Sequence, residues 1–228
     1  MSVERNTGTN TKTKRLVVFD LDGTLSDSLD SITISANKAI GAYGFAPYDR
    51  ERYKYFVGDG ADELLRRCLI HGGDPQLVHF EEVRTEYKKV FEEYCMYHVD
   101  PYEGIREVLA ELKKKQVKIA VLSNKPHPRT VDVIRALFGE GYFDCVQGQT
   151  PEIERKPSPE GVFAISRTLD IPIEDMLYVG DTSTDMKTGK SAGAFTIGVL
   201  WGFREKEELE ENHADAIIAH PSEILRYL

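Results

Sequence analysis

The sequence predicts an α/β fold, a parallel sheet flanked by helices and interrupted by an inserted helical cap, and three observations predict it. Leu16-Val17-Val18-Phe19 is an unbroken apolar run rich in β-branched and aromatic residues, the signature of a strand buried on both faces. From Gly104 onward, short apolar runs alternate with helical stretches, as a parallel sheet requires. Between these regions, Ser26 to about His98 shows no convincing strand, and a connection of roughly 70 residues is far too long for a simple crossover. The expected organisation is a tail over 1–14, a core built from 15–26 and 99–228, and a helical cap over 27–98.

Within the cap, Ser26-Asp27-Ser28 can start a helix that runs through Ala42, with Ile32, Ala36, Ala39 and Ile40 on one face. Tyr43-Gly44-Phe45-Ala46-Pro47 ends it, and further helices are expected over 49–56, 61–71 and 75–97. In the second half, helices are expected over 104–115, 128–138, 159–169, 184–192, 205–212 and 222–228. Strands are expected over 118–122, 143–147, 176–179, 195–200 and 216–219. No internal repeat or low-complexity linker interrupts the pattern.

Composition narrows the function. With 29 Lys and Arg against 38 Asp and Glu, the net charge of −9 argues against general binding to nucleic acid or an anionic membrane. No apolar stretch spans a bilayer and the first residues lack the apolar middle of a signal peptide, so a cytoplasmic protein is expected. The Asn-, Thr- and Lys-rich start reads as a solvated tail. Cys68, Cys95 and Cys145 are odd in number and show no C-x-x-C spacing, which suggests reduced thiols. His71, His79, His98 and His127 show no metal spacing.

Chemistry-bearing residues gather where the expected strands end, and in a parallel sheet that edge is where ligands bind. Asp20 and Asp22, two apart on near-extended backbone, share a direction. Gly23 allows a sharp exit and Thr24 adds a hydroxyl. Close carboxylates repel unless a cation sits between them or one keeps its proton, although a lone D-x-D can also simply close a strand. Ser123-Asn124-Lys125-Pro126 brings a hydroxyl, an amide and an ammonium to a second strand end; Ser123 can donate to a phosphate oxygen or cap a helix. Lys156, between Arg155 and Pro157, is either an ammonium fixed by a stiff turn beside a phosphoryl group or a solvated side chain. Asp181 ends a third strand and can reach the cation of Asp20. Asp185 can orient Lys156 or a metal-bound water, or serve as a first-turn helix acid.

Taken together, Asp20-Leu21-Asp22-Gly23-Thr24-Leu25, Ser123, the Lys156-Pro157-Ser158-Pro159-Glu160 run and Gly180-Asp181-Thr182-Ser183-Thr184-Asp185 resemble, in order, the four motifs of the haloacid dehalogenase-like (HAD) superfamily. The resemblance extends over nearly the whole chain after Lys14, including the position of the insertion, which looks like a type 1 cap. It implies a Rossmann-like core in which Asp20 is the nucleophile that forms an aspartyl-phosphate and Asp22 the general acid and base. It further implies Lys156 as a catalytic cation, Ser123, Asn124 and Lys156 as phosphate-binding residues, and Mg2+ held by Asp20, Asp22 and Asp181 with Thr24 and Asp185 in support.

Asp22 speaks against dehalogenation, since the dehalogenases of the superfamily lack the second aspartate. Phe56-Val57-Gly58-Asp59-Gly60, Leu122 to Pro126 and Val199-Leu200-Trp201-Gly202-Phe203-Arg204 resemble bacterial phosphoglycolate phosphatases, which makes 2-phosphoglycolate the expected substrate. Gly58 and Gly60 would let a cap loop approach it, and Lys54 and Arg66 would supply charge for its carboxylate. A β-phosphoglucomutase-like hexose phosphomutase, a pyrophosphatase and a nucleotidase are alternatives, as is a non-catalytic phosphate- or protein-binding module. The partner expected is a small phosphorylated molecule, with the protein a monomer or homodimer.

Overall fold

A computed structural model of the chain describes residues 13–228, so the tail expected over 1–14 falls, but for residues 13 and 14, outside the described residues. In chain order the elements are β1 (Leu16–Phe19), β2 (Ser26–Asp27), α1 (Leu29–Gly41), α2 (Arg50–Phe56), α3 (Ala61–His71), α4 (Phe80–Tyr94), β3 (Asp100–Pro101), α5 (Ile105–Lys114), β4 (Lys118–Pro126) and α6 (His127–Phe138). They continue with β5 (Cys145–Gln149), α7 (Glu160–Leu169), β6 (Met176–Gly180), α8 (Ser183–Ala192), β7 (Phe195–Val199), α9 (Lys206–Glu211), β8 (Ala216–Ile218) and a closing 3-10 turn over Pro221–Tyr227.

Six strands form one parallel sheet in the order β5-β4-β1-β6-β7-β8. Alternation along β1 supplies both faces. Val17 and Phe19 pack with Ile105, Leu109 and Leu112 of α5 and Val133 and Ile134 of α6. Leu16 and Val18 face the other way, onto Val162 and Ile165 of α7 and Tyr178. The register then fixes where the chemistry lies, because Phe19 stands opposite both Val121 of β4 and Val179 of β6. Asp20, Ser123 and Asp181 therefore leave the sheet at the same rim.

Helices α1 to α4 stand between β2 and β3 and share an apolar cluster of their own, which includes Leu29, Tyr53, Phe56, Leu65, Tyr87 and Phe91. Phe203, from the loop after β7, also belongs to that cluster. The two chain crossings at its base pair with each other, Ser26 opposite Pro101 and Asp27 opposite Asp100. Arg50 ties the base further through ion pairs to Asp27 and Asp30.

The differences from the sequence reading have local causes. Ser26 and Asp27 form a two-residue strand rather than opening a helix, too short to leave a period-2 pattern. Ser28 precedes α1 without a side-chain cap, since its hydroxyl is spent on Asp22. The helix expected from 75 starts at Phe80 because Asp74 accepts the backbone N–H groups of Val78 and His79 and holds a turn. The strand expected over 143–147 is shifted to Cys145–Gln149, as Asp144 accepts the Ile119 N–H and pairs with Lys118. The terminal helix is a 3-10 turn. No helix among the described residues is long and apolar enough to cross a membrane.

Candidate active site

The four strand-end motifs converge. Lys156 Nζ lies 2.7 Å from Asp20 Oδ1 and 2.7 Å from Asp185 Oδ1, and all three side chains are buried. Carboxylate oxygens of Asp20, Asp181 and Asp185 can all lie within 4.8 Å of one another. Thr24 Oγ1 donates to Asp181 Oδ1 at 3.0 Å, and the Phe203 N–H donates to Asp181 Oδ2 at 2.8 Å. Asp185 is held on every side: Lys156 and Tyr178 reach Oδ1, while the N–H and hydroxyl of Thr182 reach Oδ2 in a capping box that starts α8. The Asp185 carboxylate thereby holds the Lys156 ammonium.

Backbone shape makes the crowding possible. Gly23 has φ +92°, and a Cβ there would stand 2.3 Å from Asp181 Oδ2. At Gly202 a Cβ would stand 2.3 Å from the Asp181 Cβ and 2.4 Å from the Gly23 carbonyl oxygen.

The electrostatics follow from burial. Burial first, then Asp185 and Asp181, pushes Asp20 well above the ordinary carboxylate range against the pull of Lys156. Asp181 is pushed up to about 7, by burial and then by Asp185. Burial opposes the Lys156 ammonium, but Asp185 and Asp20 more than offset it and hold the lysine well above its usual range. Three buried carboxylates around one ammonium are short of positive charge, and an all-oxygen donor set suits a hard divalent cation. Since Asp185 is saturated by protein donors, Asp20 and Asp181 are the carboxylates left to hold one.

Residues 17–199 match the haloacid dehalogenase-like hydrolase family. The chain belongs to that family. It is 32% identical over 218 residues to a phosphoglycolate phosphatase of Aquifex aeolicus, a match spanning 94% of this chain and 96% of that protein. A phosphoglycolate phosphatase of Vibrio parahaemolyticus is 28% identical over 92% of this chain and 94% of its own. Among solved structures, CbbY of Rhodobacter sphaeroides in complex with phosphate superposes with a TM-score of 0.78 at 25% identity, covering 93% of this chain and 96% of that one. Family and relatives identify the protein as a phosphatase.

In this hydrolase the other expected site residues fall into two groups. Asp22, expected among the metal ligands, is not grouped with the acidic cluster, and its Oδ1 accepts from the Ser28 hydroxyl and the Lys125 ammonium at 2.6 Å each. Ser123 is buried and its Oγ accepts the Lys125 N–H at 3.1 Å, which leaves the hydroxyl proton to give. Asn124, expected at the phosphate, spends both amide hydrogens on protein carbonyls. Its Nδ2 donates to Gly58 and to Lys156 at 3.1 Å each, and its Oδ1 accepts the Lys156 N–H at 2.9 Å. It bridges the cap loop to the backbone of Lys156.

Gly58 and Gly60 lie in that cap loop, at φ +115° and +87°, and a Cβ added there would stand 3.6 Å from Thr182 and 3.5 Å from Asn124 respectively. Lys54 and Arg66 are not drawn to the cluster: Lys54 pairs with Glu51 one turn back, and Arg66 pairs with Glu63 and lies over the Phe80 ring. A surface groove of about 500 Å³ between α1 and the Tyr97-His98 pair shares no residue with the acidic cluster.

Three further residues fasten the loop after α2, of which Arg67 falls in none of the motifs read from the sequence. Thr184 Oγ1 donates to Asp59 Oδ1 at 2.6 Å, and Arg67 pairs with the same aspartate. Burial would raise the Asp59 carboxyl, but the Thr184 bond and Arg67 hold it below its usual value. Arg204 donates to the carbonyls of Lys54 and Val57. The Val57 to Gly60 loop is thus fastened to Asn124 of β4, Thr184 of α8 and Arg204 in the loop after β7.

Proposed function

We propose that the protein is a Mg2+-dependent phosphomonoesterase acting on a small phosphorylated metabolite, with 2-phosphoglycolate as its substrate. The observation that carries the reading is the buried Asp20–Lys156–Asp185 arrangement with Asp181 beside it. The relatives named as phosphoglycolate phosphatases support the choice of substrate.

Asp20 Oδ1 is occupied by Lys156, so Oδ2 attacks phosphorus and the P–O bond to the leaving alcohol breaks, leaving an aspartyl-phosphate. Lys156 and Ser123 bind the phosphoryl oxygens and take up the charge that develops on them. Asp22, steadied by Ser28 and Lys125, gives its proton to the departing oxygen, then takes one from the water that releases phosphate. Asp20 and Asp181, with the main-chain carbonyl of Asp22, would hold Mg2+, which supplies electrostatic shielding between the nucleophile and the phosphate. The region over 27–98 acts as a cap that excludes water while its loop is docked.

Phosphate release from 2-phosphoglycolate, hexose phosphates, nucleotides and pyrophosphate, ranked by kcat/KM, tests the reading. Stoichiometric phosphate is expected, abolished by EDTA and by Asp20→Asn. Turnover unchanged in Asp20→Asn would overturn the mechanism, and isomerised sugar phosphate without release would make the protein a mutase.

A further inference from the structure

Resting on the hydrolase reading, we propose that Lys125 is the residue that selects a carboxylate on the leaving group. Asp22 protonates the departing oxygen, so whatever that oxygen is attached to must lie next to Asp22. The charged neighbour there is Lys125, whose Nζ stands 2.6 Å from Asp22 Oδ1 with its side chain only 6% exposed. The remaining wall comes from α4: Lys125 Nζ is 5.5 Å from the centre of the Phe91 ring, Phe91 stacks on Tyr87, and both rings are buried. Tyr87 lies within electrostatic range of Asp22 as well.

An ammonium has three protons and Asp22 uses one. Ser28 holds Asp22 independently, so Lys125 can lean toward a second anion without releasing the acid from its orientation. Against apolar rings, where water is scarce, a charged donor favours an anionic partner far more than it does in bulk solvent. In 2-phosphoglycolate the carboxylate is one methylene from the leaving oxygen, within reach of a group that already touches the acid serving that oxygen. The cap residues first suited to this task by charge, Lys54 and Arg66, are engaged with their own helix glutamates.

The test compares 2-phosphoglycolate with ethyl phosphate, which replaces the carboxylate by a methyl group, in wild-type protein, Lys125→Met and Lys125→Arg. Losing a charge-assisted hydrogen bond should lower kcat/KM for phosphoglycolate by about 10- to 100-fold beyond any loss with ethyl phosphate, with partial recovery in Lys125→Arg. Equal losses on both esters would overturn the assignment and leave Lys125 as a partner of Asp22 alone. Should Lys125→Met fail to fold, wild-type protein answers with 2-phosphoglycolamide, the same ester with a neutral amide. A similar penalty supports the proposal, and equal turnover overturns it. Wild-type protein that releases phosphate from none of these esters overturns the hydrolase reading, and this assignment with it.

Discussion

Replacing Lys156 by Met removes the single ammonium that lies 2.7 Å from both Asp20 and Asp185 and leaves the buried carboxylates facing one another. Breaking a buried ion pair from one side costs about 3–5 kcal/mol. For a chain of 228 residues each kcal/mol moves Tm by about 2–4 °C, so a drop of roughly 6–20 °C is expected. The pH dependence has a definite sign. Asp20 is already held above its ordinary value by burial and by Asp185, and loss of Lys156 raises it further. An acid raised in the folded state is without penalty below its unfolded value, and it destabilises increasingly as pH climbs through the folded one. Scanning calorimetry in EDTA should therefore show a large Tm deficit near pH 8 and a smaller one near pH 5. Adding Asp185→Asn, which removes one of the stranded charges, should recover part of the Tm while turnover stays lost. A deficit equal at both pH values, or none at pH 8, would refute the electrostatic account of this triad.

Asp181, pushed up to about 7, makes the same sign argument for the cation. In metal-free protein the Asp181 contribution to stability should fall as pH rises from the ordinary carboxylate range to about 7, and MgCl2 should raise Tm more at pH 8 than at pH 6. Gly202→Ala places a methyl 2.3 Å from the Asp181 Cβ and 2.4 Å from a backbone oxygen, neither of which can yield cheaply. About 1–3 kcal/mol of stability and at least tenfold in Mg2+ affinity should go, read by thermal melts and titration calorimetry. Asn124→Ala unties the cap loop from the Lys156 backbone, so kcat should fall about 10- to 100-fold while hydrogen exchange over 57–60 accelerates.

The core was readable because β1, β4 and β6 each carry an apolar run that stops at a polar residue, and the parallel register then brings those stops to one rim. Asp20, Ser123 and Asp181 could be read together for that reason. The cap side was not readable in the same way. Lys54 and Arg66 carry the right charge for a carboxylate, yet Glu51 and Glu63, three residues before each, claim them on their own helices. Asn124 sits in a motif that suggests phosphate, but its amide is taken by Gly58, 66 residues away, and by Lys156. Phe203 joins the cap's apolar cluster from a loop more than a hundred residues downstream of it. Contacts between a docked loop and several distant loops leave no period in the chain, so only the folded structure reveals them.

A chain with net charge −9 should repel a phosphate dianion, and the local balance explains why this one need not. At the rim, the carboxylates of Asp20, Asp22, Asp181 and Asp185 face the ammonium groups of Lys125 and Lys156, a deficit of two positive charges when all are ionised. One divalent cation meets that deficit. A neutral pocket then receives the dianion, and burial lets Lys156 and Ser123 act on it with little screening from solvent. The same balance accounts for the split among the aspartates. Asp185 is bound to Lys156, Asp22 to Lys125, and Asp20 and Asp181 remain to share a cation. Removing the two lysines should thus disturb the site differently: loss of Lys156 strands the nucleophile, whereas loss of Lys125 leaves the contacts of the nucleophile intact, takes one support from Asp22 and weakens the preference for a leaving group that carries a carboxylate.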